Sequence, residues 1–131
     1  MASRVRWIDF DCADPDKVAN FWSEALGLRR DPDDKPDDDE CAVLTGTDPI
    51  EGGLLFQRVP EGKVGKNRVH LDLQPTDRTR DEEIERLKGL GATEYEDHRK
   101  LDGTGWMTMA DPEGNLFCVE RSAAERGRRS S

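Results

Sequence analysis

Two stretches of the chain share one pattern. Arg4–Asp14 reads R-V-R-W-I-D-F-D-C-A-D, and Asn67–Asp77 reads N-R-V-H-L-D-L-Q-P-T-D. In the first, Ile8, Phe10 and Cys12 alternate with Trp7, Asp9 and Asp11. In the second, Val69, Leu71 and Leu73 alternate with Arg68, His70, Asp72 and Gln74. A period of two predicts a strand with one apolar and one polar face. Each stretch ends at an aspartate, Asp14 or Asp77, placed to cap a following helix. Asp9 matches Asp72, and Asp14 matches Asp77, at one spacing of 63 residues. The helices behind them also end alike, at Ala25-Leu26-Gly27-Leu28 and Gly89-Leu90-Gly91-Ala92. A repeated unit restricts the chain to two copies of one module, with a site where the copies face each other.

The rest of each module follows from local signals. Asp14-Pro15-Asp16 starts a helix with a cap, a proline at the first position and an acid on the positive end of the dipole. Val18, Phe21, Trp22, Ala25 and Leu26 form its apolar stripe, and Gly27 ends it. Strands are predicted at 41–44 and 53–59. The second helix is predicted from about Asp77 to Leu90, with the thinner stripe Ile84, Leu87 and Leu90. Strands at 92–97, 106–110 and 116–120 follow, the last two joined by the turn Asp111-Pro112-Glu113-Gly114-Asn115. The modules span about 4–62 and 66–121, within one domain of 1–121. Residues 122–131 have almost no apolar content and are expected as a disordered basic tail.

Charge narrows the function classes. The formal net charge is −9, and the run Asp31–Glu40 carries much of it. That run is expected as a solvated, mobile loop. An acidic surface repels phosphate backbones, so nucleic acid is not an expected partner. No run of 18 apolar residues and no leader pattern occurs, so no membrane role is expected and a cytoplasmic location is. Cys12, Cys41 and Cys118 are odd in number, far apart and without a C-x-x-C, which fits unpaired thiols in a reducing compartment.

The motifs D-P-x-x-x-A-x-F-W, H-L-D-L, L-G-A and G-W-x-x-M-A-D-P-E-G-N-x-F-C together resemble the glyoxalase-like branch of the vicinal oxygen chelate superfamily, the glyoxalase/bleomycin resistance/dioxygenase group. The resemblance covers about residues 4–121. It implies an α+β fold of paired βαβββ modules forming an open half-barrel cleft, and frequent homodimerisation. In members with a metal, the resemblance implies four ligands, from the first and last strands of each module. Those positions fall here on Trp7, on or beside Gln57, on His70 and on Cys118. His70 matches the family ligand. Trp7 carries only a donor, Gln57 is a weak neutral oxygen ligand, and Cys118 favours softer metals than the usual carboxylate.

The expected ligand is therefore a small, partly apolar molecule, bound without the family metal and with no other cofactor. The alternative is a lyase, isomerase or dioxygenase using an atypical divalent metal at His70. The repeat places His70, Asp72 and Gln74, with Trp7, Asp9 and Asp11, on the cleft face. His70 and Asp72 are the candidate catalytic pair, because a carboxylate can orient an imidazole for proton transfer. The competing reading has Asp9 and Asp72 bonding backbone groups or arginines. Trp7, Asp9, Gln57, Trp106 and Cys118 are the candidate ligand contacts. Trp7, Trp106 and Met109 are read either as pocket wall or as core, and Lys66 and Arg68 either as contacts to an anionic ligand or as a solvated strand entry.

Overall fold

A computed structural model describes residues 2–127. The chain divides into two compact units between Val64 and Gly65. Among the described residues no helix is long and apolar enough to cross a membrane.

The first unit runs β1 (Trp7–Cys12), α1 (Pro15–Leu26), β2 (Arg29–Arg30), β3 (Glu40–Leu44) and β4 (Gly53–Arg58), with a 3-10 turn at Pro49–Glu51. Its sheet has the order β1-β4-β3-β2, with β1 parallel to β4 and the other pairs antiparallel. The expected punctuation of α1 is present: the Asp14 side chain accepts from Lys17 N at 3.2 Å, Pro15 opens the helix, and Gly27 closes it at φ 66°. Val18, Phe21, Trp22 and Ala25 are buried on the stripe, with Val43, Leu54 and Phe56 among the buried strand residues. The two-residue strand β2 carried no apolar pattern and escaped sequence detection. It completes βαβββ.

The acidic loop is tied to the strands at several points, and Arg58 donates through N and Nε to Asp39 O and Oδ1 at 2.7 and 3.2 Å. Asp34 Oδ2 accepts from Ala42 N at 2.7 Å, and Arg30 lies 3.0 Å from Asp16 and 3.8 Å from Asp34. One carboxylate of the run thus satisfies a strand amide rather than facing solvent.

The second unit runs β5 (Asp72–Leu73), α2 (Arg80–Leu90), β6 (Thr93–Asp97), β7 (Met107–Ala110), β8 (Leu116–Val119) and α3 (Ala123–Arg126). The sheet order is β5-β8-β7-β6, again with its first pair parallel. The repeat reappears in the pairing register. Asp9 pairs with Leu55 and Phe10 with Phe56; Asp72 pairs with Cys118 and Leu73 with Val119. Adding 63 to either strand of the first pair produces the second.

Three expectations are corrected here. The stretch 68–74 is not a long strand: β5 has two residues, Val69 is 75% exposed, and only Leu73 of the three apolar residues is buried. The cause is Asn67. Cys118 N donates to Leu71 O and Glu120 N to Leu73 O, both at 2.9 Å. The next bond in that series would join Leu116 N to Val69 O. The Asn67 amide is inserted there instead, with Oδ1 accepting from Leu116 N at 2.8 Å and Nδ2 donating to Val69 O at 2.7 Å. The second helix is capped by Thr79, not Asp77. Thr79 and Glu82 form a reciprocal capping box, which satisfies two amides where an aspartate satisfies one. Asp77 bonds its neighbour Arg78 at 3.1 Å. Finally, residues 122–126 are not a loose tail. Ser122 and Glu125 form a second capping box around α3, and Glu125 Oε1 also accepts from Arg80 N at 2.6 Å. Residues 128–131 of the expected tail lie outside the described residues.

Cys41 is part of β3 in the first sheet and is 1% exposed. Burial first, then the charge of Asp34, pushes its thiol from 9.0 up to about 11. A folded pKa above the unfolded one favours the protonated thiol. Its contribution to stability is complete below pH 9 and lost as pH rises through 11. The denaturation midpoint of the native chain should therefore fall more steeply across that window than that of Cys41→Ala. Equal slopes would show that Cys41 does not couple to folding there.

Candidate functional site

The polar face of the second sheet carries a row of register partners. Asp72 on β5 pairs with Cys118 on β8, Cys118 with Thr108 on β7, and Thr108 with Glu96 on β6. All four line an open cavity of about 600 Å³. Strand alternation explains the division of labour: Met107, Met109, Phe117 and Val119 point the other way and are buried. Met109 is thus core, not pocket wall. A register shift between Glu94 and Glu96 breaks the alternation on β6. Tyr95 and Glu96, neighbours in sequence, both line the cavity.

His70 enters the cavity from the segment that Asn67 holds off the ladder. Ligand atoms of His70, Asp72 and Cys118 all lie within 4.8 Å of one another. Cys118 Sγ is also 3.5 Å from Thr108 Oγ1.

The facing wall is the hairpin between β6 and β7. His98 N donates to Trp106 O and Lys100 N to Thr104 O, both at 2.9 Å. The rings of His98 and Trp106 stack with centroids 4.7 Å apart, and His98 Nε2 lies 2.7 Å from Glu96 Oε1. Trp106 stays 42% exposed. The tip of the hairpin is held from behind by Arg80, 5% exposed, whose Nη1 reaches the carbonyls of Gly103, Thr104 and Gly105 at 3.1, 3.0 and 3.2 Å. A side chain on Gly105, at φ 89°, would collide with the His98 carbonyl. At the hairpin base, Arg99 grips Asp97 at 2.8 Å and Asp81 at 3.2 Å. The Arg99 bond holds the Asp97 carboxyl down at about 2.

Of the residues singled out in the sequence, His70, Asp72, Trp106 and Cys118 come together in this cavity. Trp7 and Asp9 on β1, and Gln57 on β4, belong to the first unit. Arg6 stacks over the Trp7 ring at 5.1 Å. Partial desolvation, then Asp11 and Glu40, pushes the Asp9 carboxyl up. Tyr95, His98 and Lys100 line the cavity without having been expected there. The Asp102-Gly103 pair between His98 and Trp106 is a hairpin signal that would have set the two rings opposite each other.

The family model described as Glyoxalase-like domain matches residues 7–120. The chain belongs to that family. Several solved structures share the fold. The fosfomycin resistance protein FosX from Mesorhizobium loti is 14% identical, covers 96% of this chain and 98% of its own, and has a TM-score of 0.64. A glyoxalase-related enzyme from Fulvimarina pelagi is 17% identical over 91% of this chain and 88% of its own, with a TM-score of 0.62. A glyoxalase/bleomycin resistance protein/dioxygenase family enzyme from Burkholderia phytofirmans PsJN is 14% identical over 86% and 94%, also at 0.62. No curated protein matches.

The metal set implied by the superfamily does not fit this glyoxalase-like domain. Of its four positions, His70 and Cys118 can ligate. Trp7, the repeat partner of His70, offers only an indole donor. Pairing register makes Leu55 rather than Gln57 the counterpart of Cys118, and Gln57 the counterpart of Glu120. A leucine offers no ligand atom. What the second unit does hold is a nitrogen, an oxygen and a sulfur within 4.8 Å, a set suited to softer metals such as zinc.

Proposed function

We propose that this glyoxalase-like domain binds a small, partly apolar molecule in the cavity of its second module, without the hard-cation site of its superfamily. The cavity itself carries the reading. Its 600 Å³ falls within the range of small-molecule sites. It joins an exposed aromatic wall, Trp106 and Tyr95, to a polar floor of His70, Asp72 and Cys118. His70 is the anchor or proton acceptor, with the Asp72 carboxylate within 4.8 Å of it. Among the described residues Asp72 accepts no hydrogen bond from an arginine or a backbone amide, which favours a role in the site over an architectural one.

His70 is exposed, so His70→Ala should leave the melting temperature within about 2 °C, as expected for a surface change. It should weaken binding about tenfold for any ligand found by thermal-shift screening, the loss of one hydrogen bond to a charged or polar partner. A variant that melts early yet binds normally would make His70 structural and defeat the assignment.

The His70–Asp72–Cys118 cluster favours a second reading, a metal-dependent enzyme with a centre inside one module. Metal analysis of untagged protein purified without added metal separates the two. Stoichiometric zinc, nickel or iron, lost in Cys118→Ser, would replace the metal-free reading with this one.

A further inference from the structure

The cavity sits in a chain of net charge −9, yet its own lining is not acidic in balance. Its carboxylates are largely occupied: Glu120 is held by Arg126 at 3.0 Å, and Glu96 by His98 at 2.7 Å. Three of its four lysine and arginine side chains are not. Lys66, Lys100 and Arg121 all line the cavity, and none makes an ion pair within 4.0 Å among the described residues.

Two of the three share a neighbourhood. Asp102, at the hairpin tip, has its carboxyl held below the usual range by the side-chain and backbone hydrogen bonds of Thr104, with Lys100 and Arg121 adding to the effect. Thr104 N and Oγ1 both donate to Asp102 Oδ1, at 2.9 and 2.6 Å. The Asp102 carboxylate, which feels both cations, is thereby committed to the hairpin. Lys100 is carried by the same hairpin that Arg80 locks, and Arg121 lies two residues past the end of β8. Lys100 is thus mounted on the braced hairpin that also carries Trp106, and both line the cavity with Arg121, so little ordering of that backbone is needed when a ligand arrives.

We propose that the ligand of this cavity is a planar organic acid, with its ring on Trp106 and its anionic group between Lys100 and Arg121. The inference rests on the small-molecule reading above and adds a substrate class to it. A neutral planar ligand would leave these cations unanswered. An anion gains charge-assisted hydrogen bonds, and a guanidinium can hold a carboxylate or sulfonate through two parallel bonds. The acidic remainder of the surface would repel an anion approaching elsewhere, which confines binding to this face.

The test uses 2-naphthoate and 2-naphthamide, a matched acid and neutral isostere, titrated calorimetrically into the full chain. The acid is expected to bind at least tenfold more tightly than the amide, and the gap should narrow as salt rises from 50 to 500 mM. Lys100→Gln with Arg121→Gln should erase the preference, because the acid loses more affinity than the amide. Trp106→Ala should weaken both compounds. Equal affinities, with Trp106→Ala still weakening both, would overturn the anion assignment and leave the cavity reading standing. A preference that survives the double variant would overturn the assignment to Lys100 and Arg121. Failure of both compounds to bind at millimolar concentration would count against the class and the cavity together.

Discussion

Replacing Arg80 with methionine is expected to lower the unfolding free energy by about 3 kcal/mol, a large share of a typical domain's stability. The side chain is 5% exposed, and its guanidinium reaches the carbonyls of Gly103, Thr104 and Gly105. Methionine fills similar space but donates nothing, so these part-buried carbonyls lose their partner. Asp81 would also lose the Arg80 bond at 3.1 Å, although Arg99 still reaches it at 3.2 Å. Lysine should rescue only part of the loss, because one ammonium cannot reproduce the planar fork. Urea unfolding gives the magnitude. Hydrogen exchange at His98 N and Lys100 N, both bonded across the hairpin, reports whether the loss is local. A change below 1 kcal/mol with both amides still protected would mean that the hairpin holds itself. The functional consequence follows from position: Trp106 and Lys100 ride on this hairpin, so ligand affinity should fall with it.

Trp22→Ala should cost about 3–5 kcal/mol, the usual range for truncating a buried aromatic residue. Trp22 is 1% exposed, meets Phe21 edge-on at 5.2 Å between centroids, and lies 6.4 Å from Phe10. Phe10 in turn stacks on Phe56 at 5.1 Å, so the helix, β1 and β4 are joined through one aromatic cluster. The cavity left by the indole would be lined by rings that cannot collapse far without moving two strands. Trp22→Phe keeps a ring in place and should cost less than half as much. A shift of the urea midpoint equivalent to less than 1.5 kcal/mol for the alanine variant would mean that the cluster repacks freely.

These two residues mark how far a reading of sequence reaches here. Trp22 was legible because its neighbours in the stripe recur at helical spacing, and Asp14, Pro15 and Gly27 punctuate the helix by local chemistry. The module repeat was legible for the same reason, since identical local patterns at one spacing fold alike. It survives in the register that pairs Asp9 with Leu55 and Asp72 with Cys118.

Arg80 was not legible. On the helix it looks like one more exposed cation, and its role depends on carbonyls 23 to 25 residues away. Asn67 opens the second patterned stretch with no role that periodicity assigns it, although its amide replaces a ladder bond 49 residues away and so shortens β5 and sets His70 beside the sheet. The site shows the same division. His70, Asp72, Trp106 and Cys118 were picked out from pattern and resemblance. Their assembly with Tyr95, His98 and Lys100 depends on strand pairing and a bulge. Periodicity encodes which face a residue takes, because that is a property of neighbouring bonds. It does not encode which distant polar group a side chain will satisfy, because that partner exists only after the chain has closed on itself.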